Sequence, residues 1–215
     1  MQILTTEELI NYCKSYPWTR KITQLHVHHT WKPSHRDFNG NNGLRLQEAM
    51  RNYHVNTNGW SDIGQHLTLL PDGKWVTGRD FNRDPASISG WNSGAFAIEM
   101  LGNFDAGNDL FEGKQAEAMY KFCAWFVQFR NLSIDSQVKF HRDHPSAGKT
   151  CPGSGINRDL FMKRLKDEIK PPHWAQKYYD YLISKGIVIH DKRFDDTITR
   201  GEVFALMARL MGYKE

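Results

Sequence analysis

Residues 21–30, KITQLHVHHT, decide how the chain is read. Apolar Ile22, Leu25 and Val27 and β-branched Thr23 and Thr30 give the run the composition of a buried strand, and the polar stretch KPSHRDFNGNNG (32–43) after it is a loop. Three histidines, His26, His28 and His29, fall within four positions. Successive strand side chains point to opposite faces, so His26 and His28 share one face while Val27 and His29 share the other. Not all three can serve one site.

Working outward, Thr5-Thr6-Glu7-Glu8 has the form of a capping box and opens a short helix to about Ser15, closed by Pro17. LRLQEAMRNYHV (44–55) carries apolar residues at helical spacing, and IGQHLTLLPDGKWVTGR (63–79) is two apolar runs joined by Pro71-Asp72-Gly73, a hairpin. GAFAIEMLGNF (94–104) is a β-type apolar run interrupted by one charge, Glu99. A helix is expected over 113–131, then a short strand VKFH (138–141) and the loop RDHPSAGKTCPGSG (142–155). A last helix over 156–169 would bury Ile156, Leu160, Phe161, Leu165 and Ile169. Strands alternating with helices imply the α/β class, a mixed central β-sheet flanked by helices. Pro171-Pro172 marks a boundary between a domain at 1–170 and a small helical module at 171–215, too short for a strong core of its own.

The chain has 215 residues and a net charge of +4, too weakly basic for nucleic acid and without a basic run, but suited to attraction toward an anionic polymer. No stretch approaches the ~18 consecutive apolar residues of a membrane span. MQILTTEELINYCKSYPW lacks a positive region followed by an apolar one, so a protein made in the cytoplasm without signal peptide is expected. Three widely spaced cysteines argue against a disulfide framework. Cys13 and Cys123 lie in helical stretches and read as core. Cys151 sits in a Gly/Pro-rich loop, where a metal has more use for a thiol than packing does. Catalytic zinc takes three protein ligands and leaves one position open. The candidates are a histidine of the 21–30 strand, His141 at the end of VKFH, and Cys151.

The segments VHHT, GWSDIGQHLTLLPDGKWVTGRD, FAIEMLGNFD and HRDHPSAGKTCPG, spread in order over roughly residues 20 to 168, resemble the zinc N-acetylmuramoyl-L-alanine amidases of the phage endolysin and peptidoglycan recognition protein group, amidase type 2. The resemblance implies Zn2+ held by His28, His141 and Cys151, with Glu99 as catalytic carboxylate and Lys149 as catalytic lysine. His26 and His29 become neighbours of the site, and His66 reads as structural. Where the family often has tyrosine this chain has Gln65, which can hydrogen-bond substrate but offers no phenol. Trp91-Asn92, His54, Trp60 and Arg79 are expected to border a substrate groove, and His35 and His144 to face solvent.

HWAQKYYDYLISKGIV and RFDDTITRGEVFALMARLMG resemble a single S-layer homology repeat, a family that binds secondary cell-wall polymers. That resemblance gives Arg200, with Trp174 of the HWA opening, a polymer-binding role; the alternative is a helical cap or self-association element. The expectation is a peptidoglycan hydrolase that cleaves the bond between N-acetylmuramic acid and L-alanine, as a phage or prophage endolysin released through a holin-type pore. Two rivals are a peptidoglycan recognition protein without hydrolysis, against which Cys151 counts, and a cytosolic recycling amidase, which has no use for a wall anchor.

Overall fold

The computed structural model describes residues 1–169, 176–186, 200–210 and 212. Six strands, β1 (Ile3–Leu4), β2 (Gln24–His29), β3 (Leu67–Leu69), β4 (Trp75–Thr77), β5 (Ala95–Met100) and β6 (Val138–Phe140), form one sheet in the order β1-β4-β3-β5-β2-β6. β3, β5, β2 and β6 run parallel to one another, while β4 is antiparallel to both β3 and β1. Helices α1 (Thr6–Ser15), α2 (Gly43–Asn56), α3 (Gly113–Phe129), α4 (Ile134–Gln137) and α5 (Arg158–Ile169) accompany the sheet, as expected for a mixed sheet flanked by helices. Edge strand β1 was not legible in the sequence, because two residues are too few to show alternation.

Local chemistry sets these elements. Thr5 caps α1, its hydroxyl accepting from the Glu8 N–H at 3.3 Å while its own N–H donates to the Glu8 carboxylate at 2.7 Å. At the β3–β4 hairpin Gly73 takes φ 85°, and its N–H donates to the Leu70 carbonyl at 3.0 Å. Leu9 and Cys13 of α1 and Met119, Phe122, Cys123 and Phe126 of α3 pack with Phe96 and Trp75 of the sheet in one core. In α5 the buried residues are Phe161, Met162 and Leu165, and Leu160 is 66% exposed. At 100° per residue, Phe161, Met162, Leu165 and Ile169 share one stripe, and Leu160 falls outside it.

Met1–Lys170 is one compact unit and Pro171–Glu215 a second. The second contains helices α6 (Gln176–Ser184) and α7 (Arg200–Leu210). Trp174 and the side chain of Arg200 lie outside the described residues. Among the described residues no helix is long and apolar enough to cross a membrane.

What positions the site is the parallel trio β5-β2-β6, whose carboxyl ends reach the same edge of the sheet. The register places His28 beside Glu99 and Glu99 beside Thr68, so the three share one face. His141 follows β6 directly.

Candidate metal centre

His28, His141 and Cys151 each offer a ligand atom, and these atoms lie within 4.8 Å of one another. His28 Nδ1 is 3.4 Å from Cys151 Sγ, and the rings of His28 and His141 stand edge to face with centroids 5.0 Å apart. A tetrahedral ion with bonds of ~2.0 to 2.3 Å holds its ligand atoms roughly 3.3 to 3.8 Å apart, a range that the His28–Cys151 pair meets at 3.4 Å. Two imidazole nitrogens and one sulfur are also the donor types zinc prefers. The residues therefore fit the ion.

Cys151 is far from His141 in type of structure, and Arg142 joins them. Its N–H donates to the Cys151 carbonyl at 2.9 Å, and its guanidinium donates to the carbonyls of Gly153 at 2.6 Å and Ile156 at 2.5 Å. Asp143 accepts from the Phe140 N–H at 2.9 Å and pairs with Arg158 at 3.0 Å, tying the end of β6 to the start of α5. Gly153, at φ 122°, has no room for a side chain: a Cβ would come within 2.4 Å of the Phe104 carbonyl. The thiol loop can press on the strand-end segment only because that residue is glycine.

Burial keeps the two imidazoles neutral. It drives His28 well below its ordinary value, helped by neighbouring His141, and takes His141 down to about 4, helped by the Lys149 charge. Burial also pushes the Cys151 thiol up to about 12. Neutral imidazoles are ligand-ready, whereas the thiol becomes a thiolate only when a cation compensates its charge. Glu99 has no hydrogen-bond or ion-pair partner among the described residues, and desolvation raises it to about 8. A desolvated carboxyl without a partner at a cavity wall is a candidate for proton transfer.

These groups open into a cavity of about 680 Å³, lined by His28, Glu99, His141, Lys149, Cys151 and Gln65. A second cavity of about 790 Å³ also reaches Glu99 and is bounded by Trp31, Arg36, Arg45 and Tyr53. Lys149 is exposed at the rim. Gln65 is buried, and its amide donates to Thr68 Oγ1 at 2.9 Å, so it is held in the cavity floor.

The neighbouring histidines separate as strand alternation requires. His29 lies against Phe104 and accepts from that residue's N–H at 3.2 Å. His66 is fully buried and satisfied, stacked on Phe96 at 4.5 Å and bonded to backbone at both nitrogens. His54 and Trp60 pack together at 4.7 Å and line the cavity. Arg79 does not border the groove: it is 7% exposed and donates to the carbonyls of Ile63, Asp62 and Asp84. Asn92 is a loop clamp, accepting from the N–H groups of Ser87 and Ile88. His35 and His144 are half-buried rather than solvent-facing, His35 bonded to Gln115 at 2.9 Å and His144 packed on Trp91 at 4.7 Å. Sequence reasoning missed Ser87, which contacts both His26 and His28; a serine in a loop rich in Gly, Ser and Asn carries no distinguishing signal.

The mixed sheet flanked by helices is shared with solved structures of a peptidoglycan recognition protein and of a cell-wall amidase. Bumblebee PGRP-SA is 25% identical, with a TM-score of 0.56 covering 66% of this chain and 82% of that one. The N-acetylmuramoyl-L-alanine amidase LysC of Clostridium intestinale URNW is 23% identical, with a TM-score of 0.55 covering 71% and 94%. The N-acetylmuramoyl-L-alanine amidase family model matches residues 18–154, and the chain belongs to that family. Peptidoglycan-recognition protein SC2 of Drosophila melanogaster is 38% identical over 109 residues, 50% of this chain and 56% of that protein. The chain thus spans little more than half the length of this curated relative.

Proposed function

We propose that the chain is a zinc-dependent N-acetylmuramoyl-L-alanine amidase, hydrolysing the amide between the lactyl group of N-acetylmuramic acid and L-alanine of the stem peptide. The observation that carries this reading is the convergence of His28, His141 and Cys151 beside a desolvated Glu99 in an open cavity. A recognition protein that only binds needs neither the thiol nor the carboxyl.

His28, His141 and Cys151 would hold the ion. Zinc bound there supplies Lewis acidity, which makes water a competent nucleophile near neutral pH. Glu99, beside His28 on the same sheet face, takes the proton of the attacking water and returns it to the departing amine of L-alanine. Its apolar strand raises its proton affinity, which favours holding the proton between the two transfers. Lys149 at the rim brings a positive charge toward the oxyanion of the tetrahedral intermediate. Gln65, anchored by Thr68, offers its amide oxygen to the substrate backbone from the floor.

In this reading the substrate is bacterial peptidoglycan and the setting is a phage or prophage endolysin, made in the cytoplasm and acting on the wall after release through a holin-type pore. The 171–215 module is the wall-polymer or self-association element, with Trp174 and Arg200 as its polymer contacts. The test is digestion of purified Gram-positive sacculi by the wild type, Cys151→Ser and Glu99→Ala, with mass spectrometry of the products and zinc quantified in each sample. Stem peptides beginning with L-alanine, lost on chelation and in both variants, are the expected result. A zinc-loaded, folded wild type that leaves every stem peptide on its muramic acid would mean a binding protein or another scissile bond.

A further inference from the structure

Ser87 stands between two histidines of β2. Its Oγ is 2.6 Å from His28 Nε2 and 2.9 Å from His26 Nδ1. The loop that carries it is fixed from behind, since Asn92 Oδ1 accepts from the N–H groups of Ser87 at 3.0 Å and Ile88 at 2.9 Å. His26 is fully buried, and its Nε2 has no partner among the described residues.

A hydroxyl has one proton to give and can accept from either imidazole, so what matters for His28 is whether its Nε2 accepts from Ser87 or donates to it. If Ser87 donates to His28 Nε2, the ring proton of His28 sits on Nδ1, facing Cys151 Sγ, and that nitrogen cannot bind a cation. If His28 Nε2–H donates to Ser87 Oγ, the hydroxyl proton is free to go on to His26 Nδ1 and the lone pair of His28 Nδ1 points at the sulfur 3.4 Å away. Nε2 of His26 is without a partner among the described residues whichever way the chain runs, so the choice is made at His28, where only this direction leaves Nδ1 open to a cation.

We infer that Ser87 and His26 are positioning residues for the metal centre: their hydrogen-bond chain fixes the ring and tautomer of His28 so that Nδ1 is the ligand. The orphaned Nε2 of His26 is then the far end of that chain. The inference rests on the zinc reading above. Partners of this kind behind ligating histidines typically change metal affinity by about 10- to 100-fold.

The experiment uses the full chain and measures zinc affinity by competition with a chelator, together with 15N resonances of the histidine rings in the zinc-loaded protein. Expected are a zinc affinity about 10- to 100-fold weaker for Ser87→Ala, recovery to within a few-fold of wild type for Ser87→Thr, and a smaller loss for His26→Leu. In the wild type His28 should show a protonated Nε2 and a metal-bound Nδ1, and that Nε2 signal should change in Ser87→Ala. Metal-free melting temperatures of the serine variants should stay together. Wild-type affinity and an unchanged His28 Nε2 signal in Ser87→Ala would overturn the inference, as would a loss of affinity that Ser87→Thr fails to restore. A wild type that binds no zinc at all is a separate outcome of the same titration, and it removes the metal centre and this inference together.

Discussion

His28 and His66 are both buried histidines on or beside the sheet, and they differ in what their second nitrogen meets. His66 spends Nδ1 on the Ala97 N–H and Nε2 on the Arg83 carbonyl, each at 2.9 Å, with Phe96 flat against the ring. His28 spends Nε2 on Ser87 and turns Nδ1 toward another donor, Cys151, at the wall of a cavity. Burial lowers the proton affinity of both, to about 3 for His66, so the shift alone does not separate them. The difference is satisfaction: a buried imidazole bonded to backbone at both nitrogens holds the fold, and one whose second nitrogen meets a thiol beside another imidazole at a cavity wall is placed for a ligand.

The largest effect that sharpens this contrast is on catalysis. His28→Ala should lower activity on sacculi by at least ~1000-fold and abolish stoichiometric zinc, while the metal-free protein melts near the wild type; a variant that unfolds would put His28 in the same class as His66. Glu99→Gln should cost about 100- to 10,000-fold in rate with zinc retained, which separates proton transfer from metal binding.

The same substitution has a stability effect of opposite sign in metal-free protein. The folded protein raises the Glu99 carboxyl from 4.5 to about 8, so the folded state keeps a proton that the unfolded chain releases. Stability from that group is therefore full below about pH 4.5 and falls as pH rises to 8. Glu99→Gln should melt like wild type at pH 4 and be more stable at pH 9 by on the order of 3 kcal/mol, read by denaturant titration with chelator present. Equal stabilities at pH 9 would mean Glu99 is not desolvated.

Smaller in free energy is the structural partner of the comparison. His66→Leu leaves the Ala97 N–H without its acceptor and should destabilise by about 2 kcal/mol, with zinc affinity unchanged in the folded fraction. Smallest is Leu160→Ala, expected within ~0.5 kcal/mol, against about 2 to 5 kcal/mol for Leu165→Ala on the buried stripe of α5.

Much of this was open to reading in the sequence where the signal is local or periodic. The capping box at Thr5 and Glu8, the Pro71-Asp72-Gly73 turn and the strand that presents His26 and His28 on one face all appear where expected. The pairing of that strand with β5 and β6 is long-range, and no local pattern specifies it. What stayed hidden depends on partners distant in the chain. Arg79 looks like a free cation in sequence and is instead a strut holding three carbonyls. His35 and His144 sit in polar loops, yet Gln115 and Trp91 reach them from elsewhere. Ser87 has no pattern to betray it; its role is set by standing between two histidines some 60 positions earlier.

The carboxyl ends of β2, β5 and β6 carry the reactive groups while their amino ends carry none, which divides the molecule for an engineer. A one-residue insertion within β2 itself would carry His28 to the opposite face and Val27 or His29 into its place. Variation should therefore go into the loops leaving the strands, with His141, Lys149 and Cys151 kept and the strands held at fixed length.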